Sequence, residues 1–257
     1  MEFRILGPVE VRDGQRRIAL AGTKMQTVLA ALLLARGRTV SDDRMSALLW
    51  GWEPPTTRNA QICTYVSRLR KQLGPDIELV RRTPGYLIRT GPARLDLLEF
   101  ERLADLGRKA QARGRYGEAA GLARSALDLH RGSPLADVTD FLADAERPRL
   151  EEAWATVLEQ RIEADLELGR HSALVPELTG LVQEYPVHER LRSYLMIALY
   201  RCDRQADALA VYRTGCRVLA EELGIDPGPA LTQAHQAVLE GSLRYADDLR
   251  YLQLASA

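Results

Sequence analysis

At 257 residues the chain is long enough for one large domain or two ordinary ones, and its 46% apolar and 27% charged residues suit a soluble globular protein. The longest apolar stretch, Val28 to Ala35, falls far short of the roughly 20 residues that span a bilayer, and the first twenty residues carry acids and arginines instead of a continuous apolar run. Membrane insertion and secretion are therefore not expected, and a cytoplasmic location is. The formal net charge of zero conceals a split: residues 1–94 hold 16 Lys/Arg against 8 Asp/Glu, whereas residues 95–257 hold 19 against 27. A basic front and an acidic back predict different partners, with the front facing an anion.

The front half changes rhythm repeatedly. Phe3 to Val11 partly alternates, Asp13-Gly14 is a turn dipeptide, and Arg16 to Leu20 follows, which predicts a small antiparallel sheet. Thr23 is placed to N-cap an amphipathic helix from Lys24 to Arg36, stopped by Gly37. Ser41 caps a second helix, whose first-turn Asp42 and Asp43 suit the positive end of the dipole, and which ends near Trp50-Gly51. After the rigid Trp52-Glu53-Pro54-Pro55 loop a third helix runs from about Thr56 to Leu73 and stops at Gly74-Pro75. Ile77 to Val80, a basic corner from Arg81 to Gly85, and Tyr86 to Ile88 form a closing hairpin. Sheet, three helices and hairpin together predict a winged helix-turn-helix domain over residues 1–94.

From Leu95 the β rhythm vanishes and helical spacing continues nearly to the end. Gly114-Arg115-Tyr116, Gly169-Arg170-His171 and Asp203-Arg204-Gln205 look alike, each arginine opening a helix with Ala123, Leu178 or Tyr212 eight residues on. Arg170 and Arg204 stand 34 residues apart, the tetratricopeptide period; Arg115 and Arg170 stand 55 apart, which implies an insertion. Residues 95–257 are therefore expected to form an all-α, tetratricopeptide-like domain, and the chain as a whole is mainly α with a small β part.

The third helix carries the chemistry. With Ile62 at zero on a wheel of 100° per residue, Val66, Leu69 and Leu73 fall within about 40° of it and form a buried stripe. Thr64, Ser67, Arg68 and Lys71 land opposite, with Gln61 beside them and Arg58 in the first turn. Such a face fits the major groove, where Arg and Gln donate to base edges and Thr and Lys reach phosphates or a thymine methyl. A solvated helix face is the plain alternative; the preceding helix and the basic hairpin tip tip the balance. Arg81, Arg82 and Thr83 at that tip suit backbone contact or a narrow minor groove. Thr23 and Lys24 at a helix N-terminus are placed either to meet a DNA phosphate or simply to cap. Trp50 is expected to close the core. Trp52 and Glu53 are candidates for contact with a protein partner, weighed against plain packing of the ring.

Enzyme chemistry finds no support. The sequence holds no G-x-S-x-G, H-E-x-x-H, phosphate-binding loop or dinucleotide fingerprint. Cys63, Cys202 and Cys216 are widely spaced, as are the four histidines, so no disulfide framework, metal site or cofactor is expected. Glu151-Glu152 and Glu221-Glu222 are adjacent on helices, their side chains about 100° apart, and read as solvated faces. His171 and His188 are placed where a concave helical surface could hold a ligand.

Several stretches resemble the Streptomyces antibiotic regulatory proteins: Phe3-Arg4-Ile5-Leu6-Gly7-Pro8-Val9, Lys24-Met25-Gln26-Thr27-Val28-Leu29-Ala30, Leu48-Leu49-Trp50-Gly51, Tyr65-Val66-Ser67-Arg68-Leu69-Arg70-Lys71-Gln72-Leu73, Thr83-Pro84-Gly85-Tyr86, Asp96-Leu97-Leu98-Glu99-Phe100 and Glu221-Glu222-Leu223-Gly224-Ile225-Asp226-Pro227-Gly228. The resemblance runs over nearly the whole chain in order. It implies an OmpR-type winged-helix domain followed by a bacterial transcriptional activation domain, in the short two-domain form. No ATPase module or phospho-receiver domain is expected, and hence no control by aspartyl phosphorylation. It further implies a transcription activator of secondary-metabolite gene clusters that binds direct repeats in double-stranded DNA and recruits RNA polymerase through sigma factor and other subunits. By the same resemblance the third helix is the recognition helix, Arg81 and Arg82 are wing contacts, and the loop from Trp50 to Thr56 is where polymerase is met. Direct repeats also imply head-to-tail self-association on DNA, a heterologous contact that the acidic half is expected to help supply. A protein-interaction scaffold with a vestigial front domain, and a ligand-sensing regulator, are the competing readings.

Overall fold

The computed structural model describes residues 1–242. The last fifteen residues of the expected helical domain, 243–257, lie outside the described residues. Two compact units are formed, and they interleave along the chain: residues 1–105 with 124–157, and residues 106–123 with the described residues from 158 onward.

The first unit opens with β1 (Glu2–Arg4), β2 (Glu10–Asp13) and β3 (Arg16–Ile18). They form an antiparallel meander, with Phe3 opposite Val11 and Val11 opposite Ile18. A fourth strand absent from the sequence reading, β7 (Arg94–Leu95), lies parallel to β1. Between them in sequence come α1 (Thr23–Leu34), β4 (Val40–Ser41), α2 (Asp42–Trp50), α3 (Arg58–Leu73) and the hairpin of β5 (Glu78–Arg82) and β6 (Gly85–Arg89). β4 pairs with β6, which makes the wing a three-stranded sheet in the order β4-β6-β5.

Two expectations for α1 need correction. Its N-cap is Gly22, not Thr23, and no side chain caps the helix. At φ 86 and ψ 154 the cap residue sits in a backbone region that favours glycine, so the chain enters the helix one residue before the threonine. Nor is α1 amphipathic: every residue from Thr27 to Leu34 is buried. The outer face is covered by the segment that precedes α6 (Asp140–Glu167). Thr139 N donates to Thr27 Oγ1 at 2.9 Å, and Asp137 accepts from Val9 N at 2.7 Å and from Gln26 Nε2 at 2.5 Å. Residues 131–139 are thus laced onto the winged fold by hydrogen bonds of the kind that buried polar groups require.

α4 (Asp96–Gln111) is anchored in the same way. The Asp96 carboxylate, 5% exposed, accepts from the amides of Ile5 (2.8 Å), Leu6 (2.9 Å) and Leu97 (2.8 Å). Burial pushes its pKa up, against those three amides and Arg131, which pull it down.

The second unit contains the similar turns. Gly114, Gly169 and Asp203 take left-handed φ of 71, 74 and 59, and the arginine that follows each donates its amide five residues back: Arg115 to Ala110, Arg170 to Asp165 and Arg204 to Leu199, at 2.9–3.0 Å. The helices that follow are α5 (Tyr116–Leu127), α7 (His171–Glu184) and α9 (Gln205–Leu223), each beginning one residue after its arginine. Ala123 and Leu178 are buried as the repeat requires, and Tyr212 is half-buried, stacked at 3.7 Å on His235 of α10 (Pro229–Glu240). The 55-residue first interval is explained by the irregular residues 128–139 and the 28-residue α6. α8 (Glu189–Tyr200) is packed between α7 and α9, and its Tyr194, fully buried, donates to Glu163 Oε1 at 2.6 Å. Glu151, Glu152, Glu221 and Glu222 are all exposed, as expected of solvated faces. His188 lies 3.5 Å from Glu159, and His171 Nδ1 is buried without a hydrogen-bond partner. Among the described residues no group of acids, histidines and cysteines is arranged to hold a metal, and no helix is long and apolar enough to cross a membrane.

Candidate nucleic-acid interface

The burial of α3 follows the wheel. Ile62, Val66 and Leu69 are fully buried and Leu73 nearly so, packed on α1 and α2, while Thr64, Ser67, Arg68 and Lys71 are exposed. Gln61 is half-buried and donates to Thr57 Oγ1 at 3.0 Å; Thr64 Oγ1 donates back to the Ala60 carbonyl at 2.9 Å. Arg68 and Lys71 have no ion pair among the described residues and stand free to meet an external anion. Arg70 and Lys71 also occupy the last turn, where positive charge complements the helix dipole.

One side chain that fixes this helix was missed from sequence. Arg70 lies at the edge of the exposed face, and its Nε donates to the Leu79 carbonyl at 2.9 Å. This ties α3 to strand β5 and so sets the position of the β5-β6 hairpin relative to that helix. Its place in a run of three basic positions, Arg68, Arg70 and Lys71, gave no sign of a structural role; only the position of β5 does.

The hairpin turn is tighter than the basic corner suggested. Arg82 pairs with Gly85 across Thr83-Pro84, so Arg81 and Arg82 belong to the end of β5 and point to opposite faces of the ribbon. Arg82 and Thr83 are exposed. Arg81 is held in a bidentate pair with Asp42, both N–O distances 2.6 Å, and its guanidinium lies 4.6 Å from the Tyr86 ring centre. The Asp42 carboxylate raises the Arg81 pKa further above its ordinary value. Arg58 is similarly engaged, 3.0 Å from Asp43 Oδ1. The two aspartates read from sequence as helix-dipole partners, with Ser41 Oγ accepting from Arg44 N at 3.1 Å as the expected cap, therefore also neutralise two of the candidate contacts.

Gly85 explains why the Thr83-Pro84-Gly85-Tyr86 stretch needs its glycine. A Cβ there would lie 1.8 Å from the Val40 carbonyl oxygen, so any other residue would push β4 off the wing sheet. Lys24 is turned inward, its Nζ 5.0 Å from the centre of the half-buried Trp50 ring, and Thr23 is exposed. Trp52 is 98% exposed, so the packing reading of that ring does not hold; Glu53 beside it is exposed too.

Residues 95–239 match the family model of the bacterial transcriptional activator domain, and residues 15–88 match that of the C-terminal domain of transcriptional regulatory proteins. Regulatory protein AfsR of Streptomyces griseus is 44% identical over 239 residues, 93% of this chain but 24% of that protein, so the chain spans about a quarter of that relative's length. Regulatory protein DnrI of Streptomyces peucetius is 35% identical over 250 residues, covering 93% of this chain and 92% of DnrI. Among solved structures, Mycobacterium tuberculosis EmbR in complex with a low affinity phosphopeptide superposes with a TM-score of 0.92 at 33% identity, over 99% of this chain and 69% of that one. The chain belongs to the Streptomyces antibiotic regulatory protein family, transcription regulators that join an OmpR-type winged DNA-binding domain to a bacterial transcriptional activator domain.

Proposed function

We propose that the protein activates a secondary-metabolite gene cluster by binding direct repeats at its promoters and recruiting RNA polymerase, sigma factor included, in the cytoplasm. The observation that carries this reading is α3: one face is buried to the last apolar residue, and the other presents Thr64, Ser67, Arg68 and Lys71, with no ion pair to either charge among the described residues. Arg68 is the base-edge donor and Lys71 the phosphate contact, with Gln61, Thr64 and Ser67 completing the helix face. Arg82 and Thr83 of the wing supply backbone contacts. Arg58 and Arg81 contribute less, since each must give up an aspartate to reach DNA.

Residues 1–94 act as the DNA-binding domain and residues 95–257 as the activation domain, the charge split keeping the second off the phosphates. Head-to-tail neighbours on tandem repeats share a heterologous contact. Trp52 and Glu53, on an exposed loop, are the contact to polymerase. The reading is tested by footprinting the full chain on a promoter with two repeats, then by run-off transcription with polymerase holoenzyme. Protection of both repeats with added transcript from that template alone is expected. Protection spread evenly over unrelated DNA, or protection without added transcript, would overturn it.

A further inference from the structure

Trp52 is not the sole exposed aromatic at its site. Phe141, in the first turn of α6, is 47% exposed, and its ring lies against Gly51. Gly51 has φ 62, a conformation that favours glycine, and a Cβ there would come within 2.4–2.5 Å of two ring carbons, so the Phe141 ring occupies the space a side chain at Gly51 would take. The start of α6 is bolted in place: Thr139 Oγ1 donates to the Leu48 carbonyl near the end of α2 at 2.5 Å, and Thr139 N donates to Thr27 Oγ1 at 2.9 Å. The start of α6, and with it Phe141, is thereby held beside the Trp52 loop before any partner arrives, which lowers the ordering cost of binding there.

Exposed carboxylates flank both aromatics along the chain. Glu53 follows Trp52, Asp140 precedes Phe141, and Asp144 stands one turn further along the same helix; all three are exposed. Exposed aromatics with carboxylates as chain neighbours suit a protein partner and repel the phosphate backbone. Resting on the reading above that the Trp52 loop meets polymerase, we infer that Trp52 and Phe141 form one docking surface, and that it takes a basic segment of RNA polymerase holoenzyme with an apolar face. Phe141, from the second half of the sequence, is thus part of the activation surface of the winged unit.

The test uses the full chain on tandem-repeat promoter DNA. Asp140→Lys with Asp144→Lys inverts two of the flanking charges without touching the core, and is expected to lower run-off transcription about tenfold while leaving DNA affinity unchanged. Phe141→Ala should do the same, and a photo-crosslinking amino acid at position 141 should join a Lys/Arg-rich segment of polymerase. Should Phe141→Ala fail to fold, the charge variant and the crosslink decide. Wild-type transcription from the charge variant, with Trp52→Ala impaired, would overturn the shared surface and leave the loop contact standing. If Trp52→Ala were also unimpaired, the polymerase reading of the loop would fall with it. A crosslink between two copies of the chain with no polymerase present would overturn the proposed occupant in favour of self-association.

Discussion

Arg81 and Arg82 are neighbours with the same charge, and the structure gives them different work. Arg81 is bidentate with Asp42, its side chain 47% exposed against 22% for Asp42, and it also stacks on Tyr86. An exposed pair is worth about 0.2–1 kcal/mol after screening and side-chain entropy, the bidentate geometry placing this one toward the upper end. The cation–π contact adds about 0.5–1 kcal/mol. Arg81→Ala should therefore cost about 1–2 kcal/mol in urea unfolding, and Arg82→Ala, with no side-chain partner to lose among the described residues, should stay within about 0.5 kcal/mol of wild type. On DNA the order reverses. A single phosphate contact contributes about 0.9 to the slope of log affinity against log salt, so Arg82→Ala should flatten the slope by about that much. Arg81→Ala should flatten it less, because the Asp42 carboxylate already neutralises the Arg81 guanidinium, leaving less net charge for phosphate. Equilibrium unfolding and an anisotropy salt series on the same two variants give both numbers. Equal flattening by the two, with Arg81→Ala as stable as wild type, would refute the reasoning.

Arg68→Ala should cost about 1–3 kcal/mol on the preferred site and relax preference at one base pair, read from binding to a panel of single-base variants; unchanged preference would mean that the reading face of α3 is rotated from the one assigned here. Asp96→Ala strands three buried amides and should destabilise the first unit by about 3–5 kcal/mol, with Asp96→Asn losing less because one acceptor oxygen remains; thermal unfolding measures both. His130, packed between Phe100 and Trp154 with its Nε2 buried and unpartnered, has its pKa pushed down to about 4 by burial. The unfolded chain takes up that proton first, near pH 6.5, so this group's stability is complete above 6.5 and is lost as pH falls toward 4. His130→Phe should flatten the decline of melting temperature over that window.

How much of this was legible in sequence follows from the range of each signal. The α3 faces and the three arginine-led helix starts were readable because they depend on spacing within one turn or one helix. β4 and β7 were not, each being two residues long and defined by a partner distant in sequence. α1 read as amphipathic because the segment that buries its polar face, Asp137 to Thr139, lies more than a hundred residues away and carries no periodicity of its own. Arg58 and Arg81 looked free for the same reason: their aspartate partners were visible, but the fold-back that unites them was not. Gly51 and Gly85 are the clearest case. A glycine in a sequence announces a turn, and only the packed structure says that a ring or a strand occupies the space of its missing side chain.

The central claim is sequence-specific recognition by α3 and the wing. Fluorescence anisotropy of the full chain on a tandem-repeat promoter duplex, beside a duplex with the repeats scrambled, across a salt series, tests it most directly. Tight binding to the first duplex alone, weakening as salt rises, is the predicted result. Equal affinity for the two duplexes at every salt concentration would contradict it.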